Sequence, residues 1–166
     1  IVASLVASTQ LAAQTNIDKV MGSAVVGSNQ HYGDISLVNG SVQMASNSSA
    51  GDVSVVNGSI DLRDNVSVNS ASTVNGSIEL SKGAQVGADI TTVNGSIRLD
   101  NTHATGTIRT VNGSISLKNN SLVKGDIIFA ERKRNRSWFG KDQDEKNQPT
   151  LYISADSVVE GNIILR

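Results

Sequence analysis

The pentad Val-Asn-Gly-Ser-Ile/Val occurs five times in this chain, with its asparagines at Asn39, Asn57, Asn75, Asn94 and Asn112. Their separations are 18, 18, 19 and 18 residues. A period this short and this regular constrains the architecture more than any single residue does. The register extends backwards to Val20-Met21-Gly22-Ser23 and, more loosely, forwards to Gly125–Ala130.

Aligning the units exposes four apolar columns. They are the motif valines (Val20, Val38, Val56, Val74, Val93, Val111) and the residues four further on (Ala24, Val42, Ile60, Ile78, Ile97, Ile115). The third holds Val26, Met44, Leu62, Leu80, Leu99 and Leu117, and the fourth Ile17, Ile35, Val53, Ala71, Ile90 and Ile108. Between the second and third columns the residue is polar and variable in the five clear repeats: Gln43, Asp61, Glu79, Arg98, Ser116. In-out-in alternation with a free outer position is the pattern of a half-buried strand. The three-residue step from Ile90 to Val93 breaks the period of two and predicts a bend there.

An eighteen-residue unit is too short for a helix pair, and its core columns are rich in β-branched residues. The chain is therefore expected to be all-β, a single-stranded right-handed parallel β-helix (β-solenoid) of about 18 residues per coil and six to eight coils. Right-handed is preferred because a left-handed coil needs a six-residue beat. Here the glycines recur eleven residues after the motif, Gly40 then Gly51 and Gly95 then Gly106. Like residues then lie about 4.8 Å above one another, and stability comes from contacts between neighbouring coils. The motif glycine turns a corner or permits close backbone approach. The motif asparagine is expected to take an unusual φ and to form a structural amide ladder along the axis. A ligand-binding stripe on the same column is the alternative.

The domain reading is residues 1–15 as a signal-peptide remnant or capping segment, and 16–166 as the solenoid with a loop insertion at 130–150. "IVASLVASTQLAAQT" carries no charge, no Gly and no repeat, and has small residues Ala12 and Ala13 near its end. It is too short to span a bilayer, so no transmembrane segment is expected. With no cysteine, disulfides and thiolate chemistry are excluded. The net charge of -1 gives no reason to expect nucleic acid as a partner.

The interruption holds a basic run (Arg132, Lys133, Arg134, Arg136), then Trp138 and Phe139, then Asp142, Asp144 and Glu145. Gly125 and Gly161, each following a charged residue and leading into an Ile-Ile pair, stand two coil lengths apart, which implies one coil plus an eighteen-residue excursion from a corner. Six Lys/Arg against four Asp/Glu over Glu131–Lys146 favour a self-paired loop or a protein or cell-envelope contact over single-stranded nucleic acid. When the pattern returns, Leu151, Ile153, Val158 and Ile163 are expected in the core.

No nucleophile–base set can be assembled. His31 and His103 share no motif. The column Asp34, Asp52, Asp89, Asp126 offers oxygen ligands of the kind calcium takes, but Ser70 and Thr107 interrupt it and Asp also caps turns. No enzyme activity, metal or cofactor is expected.

"KGDIIFAER" and "LYISADSVVEGNIILR" resemble the repeats of bactofilins, polymer-forming bacterial proteins with a right-handed β-helix. The "TVNGSI" coils over Asn16–Leu117 are similar to those of bacterial envelope β-solenoid proteins of adhesin type. The second resemblance implies a non-enzymatic structural or interaction protein, periplasmic or secreted, with the loop as partner contact. The first implies a filament former, a homo-oligomer through the solenoid ends. A carbohydrate-binding or carbohydrate-active β-helix is the third reading.

Overall fold

The computed structural model describes residues 14–130 and 149–166. Among them there is no helix, and the parallel strands stack about 18 residues apart into the expected β-solenoid. Strands fall into three rows. The first row carries Ile17–Met21, Ile35–Asn39, the ends of Ser49–Asn57 and Ser67–Asn75, then Ile90–Asn94, Ile108–Thr110, Ile127–Phe129 and Ile163–Leu165. The second runs from Ala24–Val26 to Leu151–Ile153. The third includes Gln85–Val86, His103–Ala104, Leu122–Val123 and Val158–Val159. In Ser49–Asn57 and Ser67–Asn75 a third-row strand continues into the first row without a break.

The strand pairing places like over like. Ile60 pairs with Ile78, Ile78 with Ile97 and Ile97 with Ile115, and all four are fully buried. A parallel sheet needs both strand neighbours in register, and a one-residue slip would turn every inward side chain to water. Burying each of these side chains is worth about 1.5–3 kcal/mol, so the isoleucine column itself holds the register.

One inward column differs from the expectation. The motif valines are not core: Val20, Val38, Val56 and Val74 are all exposed. The inward residue of the first row is the one before them, Leu37, Val55, Thr73, Thr92, Thr110 and Phe129, each buried. The strand continues straight from Ile90 to Asn94, alternating through Thr92. The expected bend between Ile90 and Val93 is absent, and the chain turns after the asparagine instead. In the last coil Val159 rather than Val158 pairs with buried Val123 and so points inward. Leu151 packs against the core, while Ile153 and Ile163 are exposed because no described residue stacks over them.

Departures from eighteen are taken up at corners. Val68 pairs with Val86, but Ala71 pairs with Ile90, so the extra residue lies in the corner between the third and first rows. Asp100 pairs with Lys118 but His103 with Leu122, which puts the next one at Asn119-Asn120, between the second and third rows. Across the interruption the hydrogen-bonded partners are 36 residues apart, two coil lengths for one level.

The neighbours Val55 and Val56 differ more than tenfold in exposure, 3% against 41%. Val55→Ala is expected to cost about 2 kcal/mol in urea unfolding, and Val56→Ala no more than about 0.5 kcal/mol. Equal effects would contradict the inward column assigned above.

Candidate functional site

Three corners link the rows, and each carries its own polar column. At the corner between first and second rows stand the motif residues. Asn39, Asn57, Asn75 and Asn94 end their strands and Asn112 forms an isolated bridge. From Asn57 upwards each side chain donates to the one below: Asn57 Nδ2 to Asn39 Oδ1 at 2.9 Å, then Asn75 to Asn57, Asn94 to Asn75 and Asn112 to Asn94 at 2.8 Å. Stacked carboxamides satisfy donor and acceptor at once only at this spacing, about one coil apart. None of these asparagines is among the residues with positive φ. The left-handed conformation expected of them occurs at another corner.

The motif glycine is required by the same stacking. A Cβ at Gly76 would overlap the carbonyl oxygen of Gly58, and the relation repeats at Gly95 over Gly76 and at Gly113 over Gly95. The motif serine closes the corner. Its hydroxyl accepts the backbone N–H of the next coil's serine, as in Ser59 N to Ser41 Oγ at 3.1 Å and Ser77 N to Ser59 Oγ at 3.2 Å. From inside, the buried Thr73 and Thr92 hydroxyls donate to the Gly58 and Gly76 carbonyls at 2.8 and 3.0 Å. A buried hydroxyl without a partner is costly, so threonine in a core column is explained by these carbonyls.

The corner between the second and third rows holds a column that the motif-based reading missed. Asn29, Asn47, Asn65, Asn101 and Asn120 all have φ between 50° and 61°, with Gly83 (φ 76°) in the same column. Asn and Gly are the residues that tolerate this region. The signal was present in the sequence as Asn29, Asn47 and Asn65 at the same eighteen-residue spacing, without a flanking motif to draw attention to it.

At the third corner the aspartates cap backbone rather than converge. Asp34 Oδ1 accepts the Asp52 N–H at 2.9 Å, Asp89 Oδ1 the Thr107 N–H at 2.8 Å, and Asp126 Oδ1 the Asn162 N–H at 2.7 Å. Among the described residues no group of three or more His, Cys, Asp or Glu side chains could hold a metal ion. His31 and His103 share the outward column of the third row but are four coil steps apart, about 19 Å at the usual strand spacing. His31 Nδ1 pairs with Ser49 Oγ at 2.7 Å. Between the two histidines lies a shallow recess of about 310 Å³, lined by small and polar residues including Ser49, Ser67, Asn69, Gln85 and Thr105. On the outer face of the second row the charges pair: Arg98 with Glu79 at 2.5 Å and Arg63 with Asp61 at 2.9 Å.

The interruption leaves from the first of these corners. Phe129 stacks over Thr110, and Ala130 N–H donates to the Thr110 carbonyl at 2.9 Å. The chain re-enters at Thr150, whose N–H donates to Ser114 Oγ at 3.4 Å. The excursion therefore leaves and returns where the lower coils carry their Asn-Gly corner, and Asn112 is the last motif asparagine in the sequence. Arg132, Lys133, Arg134, Arg136, Trp138 and Phe139, the expected partner contacts, lie outside the described residues, as do residues 1–13 of the expected leader or cap.

No family model, curated protein or solved structure matches this chain.

The Asp52 carboxyl is held below the usual aspartate range, first by the Ser70 hydroxyl donating at 2.7 Å and then by the Asn69 amide at 2.6 Å. A carboxylate favoured in the folded state stabilises at neutral pH, and that contribution is lost as pH falls through the depressed pKa. Ser70→Ala is expected to raise the Asp52 titration midpoint towards that of an ordinary aspartate, read by carboxyl-carbon NMR. An unchanged midpoint would contradict the assigned cause.

Proposed function

We propose that this protein is a non-enzymatic rod of the bacterial periplasm or cell surface, structural or adhesive in role, which presents the segment 131–148 to a protein or envelope partner. The observation that carries the reading is where its polar residues are directed. Asn, Ser and Asp columns of three kinds reach along the axis to the next coil instead of towards one point on the surface. Catalysis by side chains needs convergent groups at hydrogen-bonding distance from one reacting atom, and a ladder distributes its groups at equal intervals. The non-repeating sequence that interrupts the coils lies between Ala130 and Pro149, is rooted on the ladder corner and carries aromatic and basic residues. Aromatic and arginine side chains are the types enriched where proteins bind one another.

Fractionation of the full-length protein in its native host, combined with cross-linking, tests this reading. The envelope fraction should contain it, and deletion of 132–145 should abolish its main cross-link while leaving the thermal unfolding midpoint nearly unchanged, since every described strand is kept. Recovery from the cytosol, or a cross-link that survives the deletion, would reject it.

A further inference from the structure

Five Asn-Gly sequences in one folded chain pose a chemical problem. Asparagine followed by glycine is the pairing most prone to cyclise, because the glycine nitrogen meets no side chain as it approaches the asparagine carboxamide. Asn39, Asn57, Asn75, Asn94 and Asn112 all precede glycine, and the rod does not treat them alike.

The four lower motifs are held twice over. Asn39, Asn57, Asn75 and Asn94 close strands of the first row. Each accepts at Oδ1 from the amide above, at 2.8–2.9 Å. For the first three the attacking nitrogen is also engaged: Gly40, Gly58 and Gly76 donate to the carbonyls of Asn57, Asn75 and Asn94 at 3.0, 3.0 and 3.1 Å. Cyclisation at any of these requires the carboxamide to rotate out of the ladder. Asn112 differs in two respects. Its strand has already ended at Thr110, leaving it in an isolated bridge to Asn94. Among the described residues nothing donates to its Oδ1; the Gly113 N–H, like that of Gly95, has no acceptor among them. One coil further on the sequence has Ala130 and Glu131 in place of an Asn-Gly motif, so the repeat supplies no next rung.

We propose that Asn112–Gly113 is a site of spontaneous deamidation and that the amide ladder protects the four motifs beneath it. The Gly113 backbone nitrogen attacks Asn112 Cγ; a new N–Cγ bond forms, the Cγ–Nδ2 bond breaks, and Nδ2 leaves as ammonia with the proton from the Gly113 N–H. Water then opens the resulting succinimide at either carbonyl, its hydroxyl going to carbon and its hydrogen to nitrogen, to give aspartate or isoaspartate. The product places a new negative charge at the root of a segment whose sequence opens with Arg132, Lys133 and Arg134.

Peptide mapping by mass spectrometry after incubation of the full chain in mildly alkaline buffer tests the assignment. Asn112 should gain the deamidated mass first, with Asn57, Asn75 and Asn94 at least about tenfold slower, as expected of a reaction that waits on local opening. In urea all five should convert at similar rates. Asn112→Ala removes the donor to Asn94 Oδ1 and should speed conversion at Asn94 severalfold. Equal rates at all five in the folded rod, a slow Asn112, or an Asn94 indifferent to Asn112→Ala would each overturn the proposal.

Discussion

Parallel strand pairing between successive coils is the interaction on which the rest of the structure depends. It sets a single repeat distance, about 4.8 Å, to which every other group must conform. Isoleucine sits on isoleucine, amide on amide, and hydroxyl under backbone N–H, because each column is sampled at the same interval. No coil has an inside of its own. The buried surface exists only between neighbours, which is why a chain with few aromatics still forms a continuous core from Ala24 to Phe129.

The corners bear the cost of that interval. A backbone that turns sharply at each level brings carbonyls close to the chain above, and glycine is the only residue that fits where Gly76 lies over Gly58. Where the chain turns by left-handed geometry instead, asparagine serves, as at Asn47 and Asn65. Where it turns between third and first rows, an aspartate oxygen takes up the N–H that pairing leaves over. Three corners thus use three chemistries for one requirement, that backbone polar groups between coils be satisfied.

The sequence disclosed the solenoid, its period and its second-row core because Ile60, Ile78, Ile97 and Ile115 alternate cleanly with polar neighbours. It misdirected at the first row. There the outward column is uniformly valine, while the inward one changes from Leu37 and Val55 to Thr73, Thr92 and Thr110. Hydrophobicity alone selects the wrong column, since what admits threonine inside is a glycine carbonyl on another coil. That partner is invisible to a reading along the chain. The positive-φ asparagines were missed for a related reason: their conformation is local, but their alignment becomes evident only when coils are superposed.

Coil length varies in this protein without disturbing a single face. One extra residue enters beside Ala88, another at Asn119-Asn120, and a whole additional segment between Ala130 and Pro149, each at a different corner. Above each of them the columns resume in register. The rod therefore behaves as a scale whose graduations are fixed by its faces, while its edges are free to carry ornament. Distances between appendages on such a scaffold are set by counting coils, and a lineage could move or enlarge one without recalibrating the rest.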